Sequence, residues 1–369
     1  MTPRVLHVVD QFLRPSETFV YTVVGGHRGF DATVLCHGRE CTEQFPFARV
    51  HVEAIPRSKK DISWWIAAAI DRATGRSPWR RRVEAFIGTL RPDVIHAHFG
   101  PLGCEMIDIA KTMSIPLVTS LYGVDAAVLP YLPHWREAYA RLFRDGDRFL
   151  AEGPEMRKKI VAAGAPDDRT RLQPIGIDVS KYPRWAPTLP PTVLFVGRFV
   201  EKKGLRDAIR AFGSARAQFA GARFVIVGAG PDEAEARQLV DSQGLTGVVE
   251  FAGMRPHADV IARLAAATVF LHPSVTARDG DSEGGAPTIL LEAQAVGVPI
   301  VSTRHADIPT VAPEGAGTFL CDEHDVDALA DALVRAIRHR QPSSRSHVAA
   351  HHDIASTIVR LEDAYRALL

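Results

Sequence analysis

The chain has 369 residues, 46% of them hydrophobic, which suits about two domains with a hydrophobic core each. A formal net charge of +1 excludes a strongly basic nucleic-acid-binding protein, and no apolar run approaches the ~18 residues of a membrane span. The four cysteines lack the spacing of a disulfide scaffold or a metal site, so we expect a protein of the cytoplasm.

Short, almost continuously apolar runs predict strands that are buried on both faces of a parallel sheet. In chain order they are Val5–Val9, Thr33–Cys36, Val94–His98, Leu117–Leu121, Val193–Val196, Phe224–Val227, Val248–Phe251, Val269–His272 and Ile300–Thr303. Segments between them, such as Gly204–Phe219, have the single apolar stripe of a helix. This alternation predicts an α/β fold.

The strand–helix pattern occurs twice, and a proline-rich stretch separates the two copies. We therefore predict one Rossmann-like domain over residues 1–183, a linker over 184–190 and a second such domain over 191–351. Residues 352–369 form a final amphipathic helix pattern. Two doubly wound domains of this kind would face a central cleft, with functional residues in the loops after the strands.

The first candidate site follows the strand Val193–Val196. Arg198 and Lys203 are two cations placed between a strand end and a helix start, an arrangement that suits a bound diphosphate. The alternative is that Lys202 and Lys203 are solvated residues at the beginning of a helix.

The second candidate site is the segment from Asp281 to Glu292. Pro287 suits the first turn of a helix that ends near Gly297, and glycines before it would expose backbone N–H groups to an anion or a sugar. Glu292 can accept two hydrogen bonds from a ribose diol. The alternative for Glu283 is an acidic residue that merely favours the helix start.

A third segment, Val225–Glu233, has the start of a dinucleotide-binding motif. Glu233 occupies the place of the third glycine, and Asp232 adds negative charge where a pyrophosphate would lie. This disfavours the alternative of a nicotinamide-dependent oxidoreductase.

His96 and His98 lie at the end of a predicted strand and could suggest a metal pair. No third ligand has a fitting spacing in the sequence, so we predict no metal there. His98 is instead a candidate to line the cleft.

Residues 57–86 combine arginine and lysine with tryptophan, a composition that suits an anionic membrane surface. The alternative is a pair of solvated helices whose aromatic side chains belong to the core. Binding to anionic liposomes distinguishes the two.

Taken together, the motifs of both halves resemble glycosyltransferase family 4, which comprises retaining, nucleotide-sugar-dependent enzymes with the GT-B fold. In the second half the motifs are Gly197-Arg198 with Lys203-Gly204, Val227–Pro231, Phe251–Gly253 and Glu283 to Pro299. In the first half Ser16–Phe19, His96–Gly100 and Ser120–Asp125 resemble the exopolysaccharide branch, which includes colanic-acid-type transferases.

The resemblance implies roles for individual residues. Arg198 and Lys203 would hold the donor diphosphate, and Glu292 the ribose. Glu283 and Tyr122 complete the predicted catalytic group. Further donor contacts are expected from Gly228, Met254, Arg255, Gly284, Gly285, Ala286 and Thr288, and acceptor or cleft contacts from Ser16, Glu17, Thr18, His98 and Asp125. The final helix would return to the N-terminal, acceptor-side domain, and no cofactor or metal is implied.

Two departures from the family pattern concern Glu283 and Tyr122. Glu283 and Glu292 are nine positions apart, whereas the family usually has eight. Tyr122 stands where many members have histidine, and its phenol does not titrate near neutral pH.

We therefore expect a transferase that moves a sugar from a nucleotide-diphosphate sugar, with a UDP-hexose favoured, to a glycan or lipid-linked acceptor in surface polysaccharide synthesis. Its expected place is the cytoplasm, with peripheral binding to the inner face of the cell membrane. The alternatives are a transferase of the same fold with a small soluble acceptor, and an inactive scaffold.

Overall fold

A computed structural model describes residues 2–14, 17–54, 77–219 and 221–369. The chain divides into two compact units, and the division falls within the helix Pro154–Ala162. The first unit comprises Met1–Ala151, Arg157–Gly176 and Ile354–Leu369, and the second comprises Glu152–Met156 and Ile177–Asp353.

The first unit contains a seven-stranded sheet in which neighbouring strands are parallel, in the order β3-β2-β1-β4-β5-β6-β7. The strands are β1 Arg4–Phe12, β2 Asp31–Arg39, β3 Val50–Val52, β4 Val94–His98, β5 Leu117–Leu121, β6 Arg148–Ala151 and β7 Thr170–Leu172. The helices are Thr18–Gly26, Pro78–Leu90, Gly100–Met113, Val124–Ala127, Pro133–Asp145, Pro154–Ala162 and Ile354–Arg366, with short 3-10 helices at Leu129–Tyr131 and Asp167–Arg169. Every residue of β4 and β5 is buried, as expected of strands covered on both faces.

The second unit contains a six-stranded parallel sheet in the order β10-β9-β8-β11-β12-β13. The strands are β8 Thr192–Val196, β9 Arg223–Val227, β10 Val249–Gly253, β11 Val269–His272, β12 Ile300–Thr303 and β13 Thr318–Cys321. The helices are Leu205–Arg216, Glu233–Ser242, His257–Ala266, Thr288–Val296, Ile308–Val311, Val326–His339 and Arg345–His351, with 3-10 helices at Val179–Lys181 and Glu201–Lys203.

In each sheet the first strand, β1 or β8, lies in the interior. The strands that follow it are added first on one side of it and then on the other. This is the doubly wound arrangement, so the predicted α/β fold with two Rossmann-like domains is confirmed. Functional residues are expected in the loops that follow the strands nearest that change of side: β1 and β4 in the first unit, β8 and β11 in the second.

Residues 184–190, predicted as a linker, follow the surface of the second unit. The backbone N–H of Trp185 donates to the carbonyl of Val296 at 3.0 Å, and its indole N–H donates to Ala267 at 2.7 Å. The N–H of Ala186 donates to Ala265 at 2.9 Å. Proline removes donors from this stretch, and the N–H of Thr188 also donates to this unit, to the carbonyl of Ala266 at 3.0 Å.

Within the described ranges, no helix is both long enough and apolar enough to cross a bilayer.

Candidate functional site

Arg198 and Lys203, the two cations of the first candidate site, lie in the loop after β8 and differ in exposure and ion pairing. Arg198 is exposed, and the described residues place no carboxylate in an ion pair with it. Lys203 is largely buried, and its ammonium lies 2.7 Å from a carboxylate oxygen of Glu283. Arg198 therefore carries the uncompensated positive charge at this strand end.

Lys202 anchors the same loop. Its ammonium is buried and donates to the Asp281 carboxylate at 3.0 Å and to the Ser282 carbonyl at 3.2 Å. The alternative that Lys202 and Lys203 are solvated helix-start residues is therefore wrong. Gly204 completes the turn with a φ of +66°, and a Cβ there would collide with the carbonyl of Pro273.

Glu283 is buried against the Lys203 ammonium. It also accepts a hydrogen bond from the Ser274 hydroxyl at 3.1 Å. Burial alone would raise the pKa of Glu283, but the charge of Lys203, with that of Lys202, lowers it to about 2. Glu283 is thus a carboxylate at neutral pH and neutralises Lys203.

His305 and Glu323, which sequence reasoning missed, hold the backbone of Glu283. The N–H of Glu283 donates to His305 Nε2 at 3.0 Å, and His305 Nδ1 lies 2.6 Å from the Glu323 carboxylate. Since Nε2 accepts, the proton of a neutral His305 is on Nδ1 and is donated to Glu323. His305 follows the predicted strand Ile300–Thr303, which is the signal that could have indicated it, whereas Glu323 follows β13, which was not predicted.

The segment Gly284–Thr288 leads into the helix Thr288–Val296. Pro287 is its N-cap residue, and Gly297 ends it with a φ of +97°, as the sequence predicted. A Cβ at Gly285 would lie 2.3 Å from Glu152 Oε2 and 2.9 Å from Glu152 Cβ, so a larger residue would have to displace that side chain. The first-turn N–H groups of this helix lack partners within the helix and form the positive end of its dipole.

Glu292 lies in the second turn of that helix and is buried. His257 Nε2 lies 2.7 Å from its oxygen Oε1, and the Tyr182 hydroxyl donates to the same oxygen at 3.3 Å. Neither partner was predicted. They are 35 and 110 positions away in the sequence, and only the fold brings them to the carboxylate.

Gly228, Met254 and Arg255 follow β9 and β10. Gly228 has a φ of +138°, and a Cβ there would collide with the carbonyl of Gly197, so this glycine is required for packing of the strand ends. Met254 is 66% exposed, and the half-exposed Arg255 lies 3.8 Å from Asp259. The side chains of Met254 and Arg255 are accessible to solvent.

The predicted residues of the first unit surround a buried chain of histidines. His98 Nδ1 lies 2.7 Å from the Tyr122 hydroxyl, and His98 Nε2 lies 2.9 Å from His7 Nδ1. His7 Nε2 lies 3.0 Å from His27 Nε2, and His27 Nδ1 lies 3.3 Å from the Glu362 carboxylate. Burial lowers the pKa values of the three histidines.

The Glu362 carboxylate determines the direction of these hydrogen bonds. It also accepts the backbone N–H groups of Arg28 and Gly29, each at 2.9 Å, and its pKa is lowered by these bonds although burial opposes the shift. A carboxylate only accepts, so each neutral histidine along the chain donates toward Glu362. At the far end the Tyr122 hydroxyl donates to His98.

His96 belongs to the same cluster. Its Nδ1 lies 2.6 Å from the Tyr365 hydroxyl and its Nε2 lies 2.8 Å from the Ser120 hydroxyl. Nitrogen atoms of His7, His96 and His98 lie within 4.8 Å of one another, so the fold supplies the third histidine that the sequence spacing did not reveal. Every ring nitrogen of the three is already hydrogen-bonded, and a metal ion would have to replace those bonds.

Asp125, predicted to line the cleft, is buried instead. Its carboxylate accepts the N–H of Gly100 at 3.0 Å, of Tyr122 at 3.1 Å and of Gly123 at 2.8 Å. Burial raises its pKa despite these bonds. Asp125 thus ties together the loops that follow β4 and β5.

We expect Asp125→Ala to lower the free energy of unfolding by about 3 kcal/mol, because three backbone N–H groups lose their acceptor. Urea unfolding followed by circular dichroism measures this. Asp125→Asn retains an acceptor oxygen and should be clearly more stable than Asp125→Ala. Equal stability of the two variants would contradict the role.

The other predicted residues of the first unit are at the start of the helix Thr18–Gly26. Glu17 precedes the helix, lies 3.9 Å from Arg14, and has a pKa raised by burial. Thr18 is the first helical residue. Ser16 lies outside the described residues.

The prediction of a basic membrane-binding stretch over residues 57–86 lies largely outside the described residues. In its described part, Trp79 is buried in the helix Pro78–Leu90. Arg80 lies 2.8 Å from Glu84, and Arg82 lies 2.5 Å from Glu53. For residues 77–86 these contacts favour the alternative of a solvated helix with a core aromatic.

Curated relatives match a large part of the chain. WcaL of Salmonella typhimurium, named as a colanic acid biosynthesis glycosyltransferase, is 36% identical over 251 residues, 67% of this chain and 62% of WcaL. AmsK of Erwinia amylovora, named as an amylovoran biosynthesis glycosyltransferase, is 33% identical over 248 residues, 66% of this chain and 61% of AmsK. The chain spans about three fifths of the length of these relatives.

Solved structures match the fold over the whole chain. HepE of Anabaena, in complex with UDP and glucose, has a TM-score of 0.78 at 18% identity and covers 99% of this chain and 100% of its own. Sucrose-phosphate synthase of Thermosynechococcus elongatus has a TM-score of 0.78 at 17% identity, with 99% of each chain covered. The fold is therefore GT-B.

Two family models match successive parts of the sequence. The model of Glycosyltransferase Family 4 matches residues 22–181, and the model of Glycosyl transferases group 1 matches residues 190–339. The two parts of the chain are thus similar, in that order, to a Glycosyltransferase Family 4 domain and to a Glycosyl transferases group 1 domain.

Proposed function

We propose that this protein is a retaining glycosyltransferase that moves a hexose from a UDP-hexose to a glycan or lipid-linked acceptor in surface polysaccharide synthesis. The names of WcaL and AmsK support the polysaccharide context, and the UDP complexes of HepE support the donor nucleotide. Peripheral binding to the inner face of the cell membrane is part of the proposal.

The observation that carries the proposal is the set of charges in the loop after β8 and in the segment that leads into the helix Thr288–Val296. An exposed, uncompensated Arg198 follows β8, while the buried Lys203–Glu283 pair fixes the loop that leads into the positive end of this helix. A guanidinium and helix N–H groups in such an arrangement suit a bound diphosphate. Glu292, further along the same helix, would accept the ribose hydroxyls.

The proposed reaction separates charge, and the residues above would respond to it. When the bond between the sugar and the phosphate breaks, negative charge accumulates on the departing nucleoside diphosphate. Arg198 would stabilise that charge more strongly than the charge of the intact donor, which accelerates the step. Glu283 would accept hydrogen bonds from hydroxyl groups of the sugar. The acceptor would attack the face of the sugar from which the phosphate departs, so that the anomeric configuration is retained. No bound metal or cofactor is part of this proposal.

We expect UDP and UDP-hexoses to raise the melting temperature of the protein, and GDP, ADP and dTDP to raise it less. A ligand at one hundred times its Kd adds about 2.7 kcal/mol of stability, which a thermal-shift assay detects readily. The shift should be lost in Arg198→Ala. No shift with any of the four nucleotides would overturn the proposed transferase activity, and a shift with GDP alone would overturn the UDP assignment.

A further inference from the structure

His257 and Tyr182 both contact one of the two carboxylate oxygens of Glu292. Both contacts are to Oε1, at 2.7 Å from His257 Nε2 and at 3.3 Å from the Tyr182 hydroxyl. In the described part of the chain these are the side-chain hydrogen bonds of Glu292. Oε2 is therefore left to accept from a ligand.

The two partners are donors. Burial, with the adjacent Glu292 charge, raises the pKa of Tyr182, so its hydroxyl keeps its proton. The hydrogen bond to Glu292 raises the pKa of His257 above its usual range, and a carboxylate partner requires a proton on Nε2 whether or not the ring is charged. Glu292 is thus held at one oxygen by an imidazole N–H and a phenol O–H.

The contact also joins two helices that follow different strands of the sheet, β10 and β11. His257 begins the helix His257–Ala266, directly after the accessible residues Met254 and Arg255. Glu292 belongs to the helix Thr288–Val296. A free glutamate side chain rotates among several rotamers, and fixing it costs conformational entropy. When the protein has already fixed the side chain, this cost no longer reduces the affinity for a ligand.

We propose that His257 and Tyr182 are positioning residues that fix Glu292 so that Oε2 receives the ribose hydroxyls of the donor nucleotide. The preference for a ribonucleotide over its 2′-deoxy analogue then depends on His257. This inference rests on the proposed function, since it assigns the ribose subsite of the same donor.

Isothermal titration of the full chain with UDP and with 2′-deoxy-UDP tests the proposal. We expect the wild type to bind UDP at least about tenfold more tightly, because a site that binds a hydroxyl rejects the analogue that lacks it. His257→Ala should reduce this ratio severalfold, mainly through weaker UDP binding. His257→Gln should restore much of it, because the amide N–H can still donate to Oε1.

Controls separate positioning from stability. His339→Ala changes an exposed histidine of the same unit and should leave the ratio unchanged. Tyr182→Phe removes the second donor and serves as an independent variant should His257→Ala fail to fold. A smaller ratio in this variant supports the proposal.

The outcomes distinguish this inference from the proposed function. If UDP binds to the wild type and His257→Ala retains the wild-type ratio, the positioning role is overturned while the transferase assignment stands. If the wild type binds neither UDP nor another ribonucleoside diphosphate, the proposed function is overturned, and this inference with it.

Discussion

Between pH 6 and pH 4, the free energy of unfolding of the first unit is expected to fall by about 4 kcal/mol per pH unit. The cause is the histidine cluster. Burial lowers the pKa values of His7 and His96 well below 6.5 and that of His98 to about 3, so all three are neutral in the folded state.

The sign follows from proton binding. In the unfolded chain these histidines titrate near their ordinary pKa of about 6.5, so below that pH the unfolded state binds more protons than the folded state. The stabilisation is present above pH 6.5 and is lost as the pH falls. Each of the three histidines lowers the free energy of unfolding by about 1.4 kcal/mol per pH unit. Together they remove the stability of a typical domain within a few pH units.

Urea unfolding at pH 7.5, 6.0 and 5.0 measures this dependence. His98→Gln should reduce the slope by about a third, since it removes one of the three titrating groups. His134→Gln, at an exposed histidine of the same unit, is the matched control and should leave the slope unchanged. A stability that is constant from pH 7.5 to pH 5.0 would show that the cluster does not remain neutral.

Arg198→Ala is expected to reduce sugar transfer about 100-fold or more and to weaken UDP binding at the same time. The physical reason is its charge state. Glu283 already compensates Lys203 at 2.7 Å, whereas Arg198 is exposed and carries the uncompensated charge of this loop. Turnover of UDP-glucose and titration with UDP measure the two effects.

Arg216→Ala is a suitable comparison because Arg216 is an exposed arginine of the same unit, in the last turn of the helix Leu205–Arg216. Its effect on transfer should be much smaller than that of Arg198→Ala. Glu283→Gln should change UDP binding in the opposite direction. It removes the carboxylate that neutralises Lys203, so UDP should bind more tightly although transfer is slower. Equal losses in Arg198→Ala and Arg216→Ala would mean that Arg198 has no special part in diphosphate binding.

The sequence predicted the interior of both sheets well, because strands covered on both faces are continuously apolar. All nine predicted strands are present, several of them longer than predicted. Four strands were missed, namely β3, β6, β7 and β13. Three of these are at the edges of their sheets, where only part of a strand is buried: in β7, Thr170 is buried while Arg171 and Leu172 are exposed.

Arg198, Lys203 and Glu292 could be proposed from the sequence because they follow strands in recognisable motifs, and their roles stay predictions. The site was not predictable where partners meet only through the fold. His7 and His98 are 91 positions apart, and no spacing rule connects them. Asp125 was predicted as an acceptor or cleft residue because it is a polar residue after a strand. Its carboxylate instead accepts hydrogen bonds from three backbone N–H groups.

The helix Ile354–Arg366 supplies Glu362 and Tyr365 to the histidine cluster of the first unit. During synthesis, this helix leaves the ribosome only after the whole second unit has been made. The histidines of the first sheet therefore lack their carboxylate and phenol partners while the residues from Ile177 to Asp353 are added. The unit whose strands are translated first is thus the last to be completed, and the second unit can finish folding before it.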